Sequence, residues 1–83
     1  PNAGSVFKNP PGASAWRLID DAGMRGAVEG GARVAERHSN FIVTTKTACA
    51  GDLLRLIERI RDQVRRQSGI ELETEVKIVG EDR

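Results

Sequence analysis

The clearest pattern along the chain is an apolar stripe at helical spacing between residues 50 and 67. Five apolar residues recur three or four positions apart, as one buried face of an α-helix requires: Leu53, Leu56, Ile57, Ile60 and Val64. Asp52 suits the positive end of the helix dipole, and Arg65 and Arg66 suit the negative end. Because Gly69 follows as a stop signal, we predict a long amphipathic helix over residues 50–67.

A shorter helix is predicted over residues 14–22. Its apolar positions also recur at helical spacing: Ala15, Leu18, Ile19 and Ala22. Ser14 suits the N-cap position, and Gly23 suits the left-handed conformation that ends many helices.

The middle of the chain has the composition of strands and turns. Residues 41–45 are β-branched and aromatic, and this nearly continuous apolar run predicts a central strand covered on both faces. Residues 25–37 predict short strand pieces, with a bulge or a close backbone approach at Gly30-Gly31. Paired glycines also cradle phosphates, but the longer glycine fingerprints of such loops are absent. Residues 38–40 have the chemistry of a turn.

Both ends of the chain predict extended segments. At residues 4–10 we expect a short strand with Ser5 and Phe7 on one face and Val6 and Lys8 on the other.

Residues 70–79 alternate cleanly between apolar and charged side chains. The apolar face carries Ile70, Leu72, Val76 and Ile78, and the charged face carries Glu71, Glu73, Glu75 and Lys77. This pattern fits an edge strand with a solvated face, or a strand that presents one carboxylate to a site. The predicted fold is therefore α+β: a small mixed sheet, including 41–45 and 71–79, packed with the two main helices.

Size and charge exclude several classes of protein. With 83 residues the chain predicts a single domain, and one Trp, two Phe and no Tyr predict an aliphatic core. A net charge of +1, from 13 basic and 12 acidic residues, argues against a non-specific nucleic-acid binder. The single Cys49 excludes an internal disulfide and a zinc site, and favours a reducing, cytoplasmic location. No apolar run has the ~18 residues of a membrane helix.

The chain resembles, from end to end, the C-terminal substrate-binding domain of UDP-N-acetylenolpyruvoylglucosamine reductase. The resemblance is carried by four segments in the family's order: residues 2–10, 14–23, 30–43 and 72–80. The short connection from Pro10 to Ser14 is similar to that of the compact class of the family. Two departures stand out, since Trp16 takes a position where the family commonly has Gly and Thr74 one where Pro is frequent.

The resemblance implies a flavoenzyme that reduces an enolpyruvyl group during synthesis of peptidoglycan precursors. It implies FAD and NADPH as cofactors of the full enzyme, bound by domains outside these residues, and UDP-N-acetylenolpyruvoylglucosamine as substrate. Ser5 matches the family's proton donor, and Glu75 matches the acidic partner that acts with an arginine elsewhere in the enzyme. A serine hydroxyl is a weak acid, but for a strongly basic carbanion its placement matters more than its acidity.

Three further residues match family positions near the substrate. Asn9 matches a position that contacts the nucleotide sugar, and Lys8 beside it is either a cation for the diphosphate or merely exposed. His38 either lies near the substrate or serves only the turn. The alternative function class is a non-catalytic module that binds a nucleotide sugar, or a protein through the arginine-rich helix.

Overall fold

The computed structural model describes residues 5–75. It contains two helices and three short strands, in the order α1 (Ala15–Asp21), β1 (Val28–Glu29), β2 (Ala32–Val34), β3 (Ile42–Thr44) and α2 (Ala50–Ser68). The predicted α+β class is confirmed. Within residues 5–75 no helix is both long and apolar enough to cross a bilayer.

Helix α2 agrees with the sequence pattern to within one residue at its C-terminus. The apolar stripe faces the core, where Leu56, Ile57, Ile60 and Val64 are buried and Leu53 packs beside them. Gly69 then ends the helix in the left-handed conformation (φ 78°), and its N–H donates to the carbonyl of Arg65. The period of the sequence alone therefore placed both the helix and its buried face.

The sheet is antiparallel throughout, with β2 between β1 and β3. Ala32 and Val34 of β2 point into the core while Arg33 is exposed, which is the alternation expected for a sheet with one covered face. The prediction that residues 41–45 form the central strand is wrong, because β3 lies at the edge. Ile42 alone fills the core there, and the half-buried Phe41 packs near His38, with ring centroids 5.6 Å apart.

Gly30 and Gly31 form the two-residue turn between β1 and β2, rather than a bulge. Only Gly30 has a positive φ (56°), which is the pattern of a type II′ hairpin turn. The predicted close approach is confirmed, since a Cβ on Gly31 would lie 2.6 Å from Thr45 Oγ1 and 2.7 Å from Ala48 Cα.

Asp52 joins this hairpin to the start of α2. Its carboxylate accepts hydrogen bonds from Gly31 N–H (3.0 Å), from Cys49 N–H (3.2 Å) and from the Arg55 guanidinium (2.7 Å). The Gly31 N–H, followed by the Cys49 N–H, holds the pKa of Asp52 below its ordinary value. Because an anion of the chain already occupies the Gly31 N–H, the glycine pair does not present a phosphate cradle.

The two ends of the described chain form a short antiparallel ribbon beside the sheet. Phe7 lies opposite Thr74, and Lys8 N–H donates to the Glu73 carbonyl at 2.8 Å. Residues 71–75 therefore pair with the N-terminal segment and not with the three-stranded sheet that was expected to include them. Leu72 is buried while Glu71 and Glu73 are exposed, so the predicted alternation holds up to residue 75; residues 76–79 lie outside the described residues.

We predict that Gly31→Ala destabilises the fold by about 1–3 kcal/mol, because the new methyl overlaps the backbone of Ala48. Gly51→Ala is the matched control. Its Cβ, inside helix α2, would meet the flexible end of Arg55 at 3.1 Å and Cys49 Sγ at an ordinary 3.7 Å, so this substitution is expected to stabilise by about 0.5–1 kcal/mol. Free energies of unfolding from urea titrations check both values, and equal stability of the two variants would contradict the steric account.

Asp52 also predicts how stability depends on pH. Since its pKa is lowered in the folded state, the unfolded chain binds the proton more readily, and the stabilisation present at neutral pH is lost as the pH falls below about 4. Asp52→Asn is expected to flatten the decrease in unfolding midpoint between about pH 4 and pH 2. Asp21→Asn, an exposed control, should leave that slope unchanged; an identical slope in wild type and Asp52→Asn would refute the assignment.

Candidate functional site

The residues predicted to act together lie on the ribbon formed by the two ends of the described chain. Glu75 N–H donates to the carbonyl of Val6 at 2.7 Å, so Glu75 is paired with the residue next to Ser5. Ser5 is half-buried and Glu75 is exposed. Although these two residues are far apart in sequence, their backbones are neighbours. That the Ser5 hydroxyl and the Glu75 carboxylate share one ligand stays a prediction.

The ribbon is irregular at Val6. In a regular antiparallel pairing the N–H and C=O of one residue bond to the same neighbour. The N–H of Val6 instead donates to the Asn40 carbonyl at 2.8 Å, while its C=O accepts from Glu75 on the other side. Val6 and Phe7 are both buried, at 4% and 1% exposure, so both faces of the segment are covered at this point. The predicted assignment of these residues to opposite faces stays a prediction.

Asn40 holds Phe7 through both polar groups of its backbone. The Asn40 side-chain oxygen Oδ1 accepts from Phe7 N–H at 2.9 Å, and Asn40 Nδ2 donates to the Phe7 carbonyl at 2.9 Å. The side chain is buried together with the backbone it binds. Sequence reasoning assigned Asn40 only to a turn, and no local signal marks a partner 33 positions away.

The turn that carries Asn40 is anchored to helix α1. Phe41 N–H closes the predicted turn on the His38 carbonyl at 2.9 Å. The buried Ser39 hydroxyl donates to Asp20 Oδ1, which also accepts from Arg25 Nε at 3.1 Å. The Arg25 hydrogen bond, assisted by the one from Ser39, holds the pKa of Asp20 below its ordinary value. An ionised carboxylate at the end of α1 thus orients the turn.

His38 is exposed in this turn, where its backbone carbonyl accepts the closing hydrogen bond from Phe41. The turn role is therefore observed. A contact between the His38 side chain and a substrate stays a prediction.

The Asn9 side chain has a structural role at the start of α1, where the sequence analysis named Ser14. Its Oδ1 accepts from Ala15 N–H at 2.8 Å and so satisfies a free donor in the first turn of α1. Ser14 has the extended backbone of an N-cap, but its hydroxyl makes no cap hydrogen bond. The predicted N-cap position of Ser14 is confirmed, but the side-chain hydrogen bond to the helix end comes from Asn9. The exposed Asn9 amide nitrogen has no hydrogen-bond partner among residues 5–75.

Lys8 and Asn9 line one side of a shallow cavity of about 150 Å³, with Glu71 and Glu73 on the other side. Lys8 Nζ is 4.0 Å from Glu73 Oε1, and both side chains are exposed, so the pair is weak and the ammonium group stays accessible. Pockets that bury a whole small molecule usually measure about 300–1,000 Å³. This cavity is therefore too small to bury a whole small molecule by itself.

The described residues give little support to a metal site or to a nucleic-acid or protein interface on α2. Among residues 5–75 no three His, Cys, Asp or Glu side chains are grouped so that they could hold a metal ion. The arginines of α2 have carboxylate partners in each case: Arg55 with Asp52 and Glu29, Arg59 with Glu29, Arg61 with Glu58, and Arg65 and Arg66 with Asp62. This pairing matches the solvated face predicted from sequence, and it leaves little reason to assign α2 to a nucleic-acid or protein partner.

Comparisons with known proteins agree with this geometry. The family model described as "UDP-N-acetylenolpyruvoylglucosamine reductase, C-terminal domain" matches residues 1–79. A UDP-N-acetylenolpyruvoylglucosamine reductase from Geobacter sulfurreducens is 60% identical over 82 residues, which are 99% of this chain and 27% of the relative. The protein of the same name from Moorella thermoacetica is 56% identical over 81 residues, 98% of this chain and 27% of the relative.

A solved structure shows the same fold. The crystal structure of UDP-N-acetylenolpyruvylglucosamine reductase from Thermus caldophilus superimposes with a TM-score of 0.76 at 43% identity, covering 92% of this chain and 26% of that one. The chain thus spans about a quarter of the length of the relatives it matches. Family match, sequence identity and fold lead to one conclusion: the chain belongs to the family of UDP-N-acetylenolpyruvoylglucosamine reductase C-terminal domains.

Proposed function

We propose that this chain is the substrate-binding and proton-donating domain of a UDP-N-acetylenolpyruvoylglucosamine reductase. The full enzyme would reduce the enolpyruvyl group to a lactyl group, giving UDP-N-acetylmuramate for peptidoglycan synthesis in the cytoplasm. The observation that carries the proposal is the hydrogen bond from Glu75 N–H to Val6 O, because it joins the two segments that hold the proposed donor and its acidic partner. Family membership supports the same assignment.

The proposed reaction divides the work between this chain and the rest of the enzyme. FAD and NADPH would be bound outside these residues, and the Gly31 N–H of the glycine pair is already bonded to Asp52. Reduced FAD would supply the hydride to the enolpyruvyl double bond. The shallow cavity beside Lys8 fits this division, because a nucleotide sugar needs walls from another part of the protein.

The proposed role of Ser5 is to donate a proton to the carbon next to the substrate carboxylate. That carbon becomes an enolate-like carbanion after hydride addition, and the Ser5 O–H bond breaks as the new C–H bond forms. The hydroxyl is then reprotonated from solvent. Glu75, together with an arginine from elsewhere in the enzyme, would stabilise the developing charge. Placement of the hydroxyl decides the rate of this step.

Lys8, Asn9 and His38 are proposed to bind the substrate. The Lys8 ammonium is accessible and suits the diphosphate, and the Asn9 amide nitrogen is an exposed donor on the same side of the cavity. His38 is exposed on the turn that holds the Ser5 segment.

In the full enzyme, Ser5→Ala is expected to leave flavin reduction by NADPH unchanged and to slow flavin reoxidation by UDP-N-acetylenolpyruvoylglucosamine by at least ~10²-fold, the usual scale for a placed proton donor. Stopped-flow absorbance separates the two half-reactions. Ser14→Ala, which removes a serine hydroxyl that makes no cap hydrogen bond, is the control and should reoxidise flavin at the wild-type rate. Reoxidation of Ser5→Ala at that same rate would exclude the proton-donor role.

The two roles of Asn9 can be separated by substitution. Asn9→Asp keeps an oxygen for Ala15 N–H, so thermal stability should be retained, while loss of the amide donor should raise KM for the nucleotide sugar by about 5-fold to 50-fold. Asn9→Ala should raise KM similarly and also cost about 1 kcal/mol of stability, because the helix cap is lost. Unfolding midpoints measure the effect on stability, and steady-state kinetics measure the effect on KM. An unchanged KM in both variants would show that Asn9 only caps the helix and does not bind the substrate.

A further inference from the structure

The Asn40 side chain holds the segment that carries Ser5 to the rest of the fold. Within residues 5–75, Phe7 receives both hydrogen bonds of its backbone from this single amide, at 2.9 Å each. The backbone carbonyl of Asn40 also accepts from Val6 N–H at 2.8 Å. Three hydrogen bonds from one residue therefore fix the two residues that directly follow Ser5.

The same residues connect Asn40 to the acidic partner. Val6, which donates to Asn40, accepts from Glu75 N–H at 2.7 Å. A displacement of Val6 would move Ser5 along the chain and Glu75 across the ribbon. Asn40 is thus placed to set the relative position of the two proposed catalytic residues, although it is bonded to neither of them.

The anchor behind Asn40 is rigid. Its neighbour Ser39 is 3% exposed and donates to the ionised Asp20 at the end of α1, and Phe41 N–H closes the turn on His38. The amide itself is 9% exposed and both of its polar atoms are bonded to Phe7. A side chain held in this way has one available geometry, and hydrogen bonds of this kind hold a reacting group in its productive position.

We propose that Asn40 is a positioning residue for proton donation by Ser5. The inference rests on the proposed function of the chain, and it adds that the rate of protonation depends on the amide that holds the Phe7 backbone. Loss of the amide would leave substrate binding largely intact, because Lys8 N–H is also held by the Glu73 carbonyl and the Asn9 side chain by Ala15 N–H. Loss of the Asn40 amide is therefore expected to lower kcat and to leave KM nearly unchanged.

The test uses the full enzyme and two substitutions of Asn40. Asn40→Ala removes both side-chain hydrogen bonds to the Phe7 backbone. Asn40→Asp keeps the size of the side chain and the acceptor for Phe7 N–H, but loses the donor to the Phe7 carbonyl. Both variants are expected to reduce flavin with NADPH at the wild-type rate and to reoxidise it with substrate about 10-fold to 100-fold more slowly, with KM changed less than about 3-fold.

A double-mutant cycle distinguishes positioning from a general loss of stability. If Asn40 acts through the Ser5 hydroxyl, Ser5→Ala combined with Asn40→Ala should reoxidise within about 2-fold of Ser5→Ala alone. Hydrogen exchange adds a readout besides activity, since the peptide containing Phe7 should lose protection in Asn40→Ala but keep more of it in Asn40→Asp, which retains the acceptor for Phe7 N–H. Asp52→Asn is the matched control, because Asp52 is an equally buried side chain (8% exposed) that binds backbone N–H groups away from the ribbon. It should lower the unfolding midpoint and leave reoxidation and the Phe7 peptide unchanged.

The outcomes separate the inference from the function on which it rests. The positioning role would be overturned if both Asn40 variants reoxidised flavin within about 2-fold of the wild-type rate. It would also be overturned if the double variant were slowed by the product of the two single effects. In either case a slow Ser5→Ala enzyme would still support the proposed function. A Ser5→Ala enzyme that reoxidises at the wild-type rate would overturn both. Should Asn40→Ala fail to fold, Asn40→Asp decides by the same criteria.

Discussion

The candidate site depends on one buried amide that takes the place of a neighbouring strand. Phe7 is almost completely buried, so its backbone N–H and C=O cannot reach water. A buried backbone group left without a partner costs about 1–3 kcal/mol, and here two such groups point to the same side. The Asn40 side chain satisfies both at once. Because of this, Phe7 can fill the core beside the buried Val6 while Lys8, the next residue, remains exposed.

Carboxylates hold two further loops in a comparable way. Asp20 fixes the turn before β3, and Asp52 fixes the β1–β2 hairpin to the start of α2. A domain of this length buries only ~60–65% of its unfolded surface, and its aliphatic core does not extend under every loop. Hydrogen bonds to ionised groups are stronger than those between neutral groups, so a few of them order loops that apolar packing does not reach.

The geometry also fits the proposal that the chain forms only part of a site. The paired ends of the described chain bring Ser5 close to Glu75 in the backbone, and the shallow cavity beside them is open. A substrate with a nucleotide, a diphosphate and a sugar needs more enclosing surface than this cavity offers. Both the family match and the share of the relatives that the chain spans agree with a domain that works against another part of the same enzyme.

The sequence by itself determined the features that depend on near neighbours. The period of α2, its stop at Gly69 and the exposed glutamates of residues 71–75 follow from local spacing, and the family resemblance identified Ser5 and Glu75 as candidates. Tertiary structure decided which strand is central, which residue caps α1, and that Asn40 binds Phe7. Each of these depends on hydrogen bonds or packing between segments far apart in the chain, up to 33 positions for Asn40, and periodicity carries no record of such a partner.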